Sequence, residues 1–136
     1  MYLTVLGTSA EGGDCGQVGR GNGVNGVIPL HRPTSAEAAA GKNPVSHVGK
    51  IYSLLSHRMA EAVVQHLPEV REAYVWLCSQ IGQPVTSPRI TAAQLILRDG
   101  TSIADIRPTV ENLLQGELAG IDEFSQRLVR GELAVC

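Results

Sequence analysis

The residues with the most obvious chemical capacity lie in the first part of the chain: Asp14, Arg20, Lys42, His47 and Lys50. They flank glycine-bearing segments, and eight of the 15 glycines fall between Gly7 and Gly26. Neither a helix nor a strand tolerates that density of glycine, and backbone without side chains lets a ligand come close. Bared amide N–H groups beside an arginine and lysines suit a polyphosphate, because amides and cations together can surround its charged oxygens. A plain connecting loop with ordinary solvated charges would have the same composition, so residue types alone leave both readings open.

Short motifs narrow the chemistry by exclusion. Gly21-Asn22-Gly23-Val24-Asn25-Gly26 has the form G-x-G-x-x-G, but the dinucleotide fingerprint needs a strand before it and a helix opening at it. Here a strand-like run and a proline turn follow instead. Gly41-Lys42 resembles the end of a P-loop, yet Asn43 stands where Ser or Thr would take magnesium and Ala36 where the first Gly belongs. The four histidines, His31, His47, His57 and His66, never fall three or four residues apart, so no helix gathers them around a metal. His66 lies on the apolar face of a long helical pattern and reads as a core-edge residue, while His57 reads as solvated. Cys15, Cys78 and Cys136 form neither a disulfide framework nor a C-x-x-C pair, which predicts a reducing, cytoplasmic setting.

The elements that position these groups follow from periodicity. Tyr2-Leu3-Thr4-Val5-Leu6 reads as a strand that begins abruptly, which predicts that the natural protein continues upstream. Val24 to Leu30 is a second apolar, strand-like run, ended by Pro29 and the His31-Arg32-Pro33 turn. Thr34-Ser35-Ala36-Glu37 has the form of a capping box and predicts a short helix stopping at Gly41. From about Ser46 to Leu67, Val48, Ile51, Tyr52, Leu55, Met59, Ala62, Val63 and Leu67 recur at helical steps and define one apolar face. Ala73 to Cys78 and Ile90 to Leu97 are strand-like neighbours, joined through Gly82, Pro84 and Pro88 and closed by an Asp99-Gly100 turn. Thr101 or Ser102 can cap a helix with Ile106, Val110, Leu113 and Leu114 inward; Ile121, Phe124, Leu128 and Val129 predict a last short helix. The sum is an α+β fold, a two-layer sandwich of a small mixed or antiparallel sheet with helices on one face.

Composition agrees with one folded domain over residues 1–136: 43% hydrophobic and 18% charged residues is globular usage. A net charge of -2 offers no global positive field to recruit nucleic acid or an anionic membrane. Met1 to Gly7 has no basic leader and too short an apolar run for an export signal or membrane span.

Three stretches carry a family resemblance: YLTVLGTSAE, then GD-x-G-x-VGRGN-x-VNG, then EAAAGKNPVSHVGKIY, with SQIGQP-V further on. Over essentially the whole chain they resemble the C-terminal third of archaeal-type S-adenosylmethionine synthetases (methionine adenosyltransferases). The resemblance implies a transferase that joins ATP and methionine, releases phosphate and diphosphate, and uses Mg2+ and K+. It also implies a homodimer whose upstream domains lie outside this chain. By resemblance Arg20 and Lys42 are catalytic cations at the triphosphate, Asp14 holds the methionine ammonium, and Gly19, Asn43, His47 and Lys50 are further substrate-binding positions. The metal ligands are not assigned. Cys15 stands where archaeal enzymes usually show a second Asp, Gly23 where they show Arg, and Ser46 where Asn is common; the first two replacements remove charge near the site. A non-catalytic remnant that folds, dimerises and binds anions is the alternative the same residues allow.

Overall fold

A computed structural model describes residues 23–26, 29–35 and 37–135. The expectations for Tyr2 to Leu6, and for Asp14, Gly19 and Arg20, lie outside the described residues.

The order of elements is α1 (Val48–His66), β1 (Val70–Cys78), β2 (Ile90–Leu97), α2 (Ile103–Ala119) and α3 (Ile121–Val129). In α1, Ile51, Leu55, Met59 and Val63 follow one another at four-residue steps, and all four are fully buried. The helix opens at His47, whose ring nitrogen Nδ1 accepts from the Lys50 N–H at 3.2 Å, and it ends before Pro68. β1 and β2 pair antiparallel, with Tyr74 opposite Gln94 and Trp76 opposite Ala92, and a register shift between Val70 and Glu72. Strand alternation turns Ala73, Val75, Leu77, Leu95 and Leu97 toward the core and leaves Tyr74 and Trp76 on the other face, where their rings stack at 6.3 Å. The Asp99-Gly100 turn places Gly100 at φ +85°, a region open to glycine, and Ser102 Oγ then caps α2 by accepting from the Ala104 N–H at 3.3 Å.

The helices join one core with the inner face of the sheet, as an α+β two-layer arrangement requires. α1 lies along β1; Ile106, Val110 and Leu114 of α2 and Ile121, Phe124 and Leu128 of α3 complete the buried cluster. Arg58 of α1 ties the three helices together, with Nε 2.6 Å from Glu117 Oε2 and its guanidinium 5.7 Å above the Phe124 ring. Among the described residues no helix is long and apolar enough to cross a membrane.

Three sequence expectations are corrected. Residues 37–40 form no helix, because Ser35 Oγ accepts from the Glu37 N–H at 3.1 Å and the Glu37 carboxylate turns to Lys42 instead of capping. A helix of that length would also have to meet the cost of nucleation. Ala38 and Ala39 are there to pack, being 9% and 0% exposed. Val24 to Gly26 is a turn closed by Gly26 N–H on the Gly23 carbonyl at 2.9 Å, and Leu30 is exposed, so the described part of that run is not strand. His66 is exposed at the end of α1, its Nδ1 2.8 Å from the Ala62 carbonyl, and is not a core-edge residue.

Candidate functional site

Four of the residues singled out from the sequence, Lys42, Asn43, His47 and Lys50, lie in the turn that leads into α1 and in its first turn. Asn43 shapes the approach: its Oδ1 accepts from the N–H groups of Val45 at 2.8 Å and Ser46 at 3.1 Å. Its carbonyl accepts from the His47 N–H at 3.3 Å, which delivers His47 to the helix cap. With Nδ1 an acceptor, the neutral imidazole carries its proton on Nε2.

Lys42 is held just outside that cap. Its ammonium lies 2.5 Å from Glu37 Oε1 and donates to the Ala38 carbonyl at 2.5 Å, and its side chain is only 11% exposed. An ammonium has three N–H donors, so this cation is fixed with one donor to spare. Gly49 explains how Glu37 and His47 fit beside the helix. A Cβ there would stand 2.9 Å from His47 Cε1 and 3.1 Å from Glu37 Cδ. The Glu37 carboxylate therefore lies against the first turn of α1, where the helix contributes positive partial charge and no acidic residue of its own.

Lys50, in the same turn, is buried, and desolvation lowers its pKa from the ordinary lysine value. A charge kept out of water at a helix N-terminus costs stability, which marks it as a candidate for function. Sequence reasoning missed two participants. Glu37 was legible only as a capping residue, and Gly49 only as one glycine among 15.

A cleft of about 540 Å³ adjoins this turn, between residues 29–35, the Ser53, Ser56 and His57 flank of α1, and β1. Glu37 lines it, whereas Lys42, Asn43, His47 and Lys50 do not. Arg32 closes one side, donating to Glu72 Oε2 and to the Tyr74 hydroxyl at 2.9 Å, while that hydroxyl donates to Glu72 at 2.7 Å. The Arg32 hydrogen bond, then that of Tyr74, holds the Glu72 carboxyl below the usual carboxylate range.

Residues 1–132 match the family model of S-adenosylmethionine synthetase (AdoMet synthetase). The chain belongs to that family. It is 47% identical to an S-adenosylmethionine synthase of Methanosarcina mazei over 133 residues, covering 98% of this chain and 33% of that protein. It is similar to the Halobacterium salinarum enzyme of the same name at 46% identity, covering 97% of this chain and 32% of the relative. With the Natronomonas pharaonis enzyme it shares 49% identity over 98% of its own length and 33% of the relative's. The chain thus spans about a third of the length of the synthetases it matches. Among the described residues there is no cluster of three or more His, Cys, Asp and Glu side chains able to hold a metal ion.

Proposed function

We propose that this chain is the C-terminal third of a methionine adenosyltransferase and supplies the cationic end of its active site. The observation that carries the reading is the Lys42 ammonium, fixed by Glu37 and the Ala38 carbonyl beside the N-terminus of α1. In the reaction, the methionine sulfur attacks the ribose C5′ carbon of ATP. The new S–C5′ bond forms as the C5′–O bond breaks, and its electron pair leaves with triphosphate, which water then cleaves to phosphate and diphosphate. Negative charge grows on the leaving oxygens in the transition state, so prepositioned cations stabilise that state more than the ground state. Lys42 and Arg20 fill this role. Asp14 holds the methionine ammonium by a charge-assisted hydrogen bond, and Gly19, Asn43, His47 and Lys50 line the substrate.

Mg2+ and K+ are assigned to the enzyme by family alone; the described residues hold no cluster of three or more His, Cys, Asp and Glu side chains for a metal ion, and no step here runs through them. A homodimer is supported by the outer face of the sheet, where Trp76, Ile90 and Ile96 are exposed side chains on an otherwise folded body. The remaining two thirds of the enzyme lie upstream, and the setting is the cytoplasm. Positioning sulfur, carbon and triphosphate in line takes groups from a whole synthetase, of which this chain spans about a third. A coupled assay for S-adenosylmethionine and released phosphate on the purified chain should therefore give no turnover. Turnover near that of a complete synthetase, abolished by Lys42→Ala, would mean that copies of this domain alone build the whole site. The replacements Cys15 and Gly23, which remove one acidic and one basic group from the glycine-rich segment, favour a second reading, a remnant that keeps anion binding without catalysis.

A further inference from the structure

We propose that Glu37 is an internal anion that holds the place of a phosphate group, so that polyphosphate binds at Lys42 by exchange: the carboxylate leaves and a phosphate oxygen takes its position. The inference rests on the anion-site reading of Lys42 and adds how that site is regulated.

Three observations carry it. First, the carboxylate sits beside both the Lys42 ammonium and the first turn of α1. Glu37 Oε1 is 2.5 Å from Lys42 Nζ, and its Cδ lies 3.1 Å from where a Gly49 Cβ would stand, against the first turn of α1. A phosphate engaging the same ammonium and the same helix end would meet this carboxylate, and two anions cannot share the position without repulsion. Second, the helix provides no acid of its own in its first turn, and instead carries Lys50 there. The charge demand of this end is met from outside the helix, by a residue on a preceding turn. Third, Glu37 has somewhere to go. It lines the 540 Å³ cleft and is 35% exposed, whereas Lys42 is 11% exposed and keeps the Ala38 carbonyl as a second partner. Release of the carboxylate therefore leaves the ammonium in place.

An internal competitor lowers the apparent affinity for every anion by the fraction of time the site is open. For an enzyme that must discharge phosphate and diphosphate, a carboxylate that reclaims Lys42 speeds their departure. Glu37 is thus a tuning residue and makes no contact with the reacting atoms.

The test uses the whole chain with inorganic tripolyphosphate in buffer containing a chelator. Titration calorimetry of the wild type, Glu37→Gln and Lys42→Ala gives affinities, and the side-chain carboxyl carbon of Glu37 is followed by NMR. Gln keeps the shape and the acceptor but not the charge. Exchange predicts tripolyphosphate binding tighter by roughly 1.5-fold to fivefold in Glu37→Gln, the factor set by an ion pair of this exposure. It also predicts that saturating tripolyphosphate moves the wild-type Glu37 carboxyl resonance to its position in Lys42→Ala, where the carboxylate has no ammonium. Binding that leaves the Glu37 resonance unmoved, or weaker binding by a folded Glu37→Gln, overturns the exchange while leaving the anion site standing. Absence of binding by the wild type and Glu37→Gln alike overturns both.

Discussion

Replacing Gly49 by alanine sets a helix preference against the geometry of the site. The residue is not at positive φ, so its need for glycine comes from space alone. Alanine should stabilise a helix by up to about 1 kcal/mol relative to glycine. Its Cβ, however, would stand 2.9 Å from His47 Cε1 and 3.1 Å from His47 Nδ1. The ring must swing away, which breaks its 3.2 Å acceptance from the Lys50 N–H and costs about 1 kcal/mol for a lost cap. Displacing Glu37 weakens its partly exposed pair with Lys42, worth about 0.2–1 kcal/mol. Gly49→Ala should therefore destabilise the wild type by about 0.2–1 kcal/mol. In a His47→Ala background the ring and the cap are already gone, and the same substitution should become neutral or stabilising by up to about 0.5 kcal/mol. Urea unfolding of the four proteins, followed by the fluorescence of the single tryptophan, Trp76, measures the cycle. Equal stabilisation by Gly49→Ala in both backgrounds would refute the close contact and the cap.

Two further predictions concern the fold. Leu55→Ala, at a fully buried position between the helices and the sheet, should cost about 2–5 kcal/mol in urea unfolding, and a loss under about 1 kcal/mol would show that the core face of α1 is misassigned. Tyr52 is buried, donates its hydroxyl proton to the Val85 carbonyl at 2.9 Å, and has its pKa raised first by desolvation and then by Cys78. A raised folded pKa means that stability is fully present below the unfolded value of 10.0 and is lost as pH rises through the folded one. Stability of the wild type should fall above pH 10 more steeply than that of Tyr52→Phe, and parallel alkaline profiles would contradict the burial of the hydroxyl.

The long helix, both strands and the two closing helices were legible because each carries its hydrophobic residues at the period of its own backbone, from Ile51 to Val63 and from Ala73 to Leu77. The failures have physical causes. Thr34 to Glu37 spells a helix start, but four residues cannot repay nucleation once Ser35 and Lys42 compete for the same groups. His66 stands at the last position of its helix, where the apolar face has run out of partners. At the site, Lys42, Asn43 and His47 were legible because they are consecutive or nearly so in one motif. Glu37 was not, since its role comes from a turn that no periodicity encodes. Gly49 was not either, since the contact it avoids is with His47 and Glu37, which only the folded turn brings to it.

A polyanion site formed by Lys42 and the start of α1 would show itself in an amide NMR titration of the whole chain with inorganic tripolyphosphate. The account predicts saturable shifts concentrated at Lys42, Asn43 and His47 to Ile51, which disappear in Lys42→Ala. Shifts that persist in Lys42→Ala, or that fall elsewhere and leave the start of α1 unmoved, would contradict it.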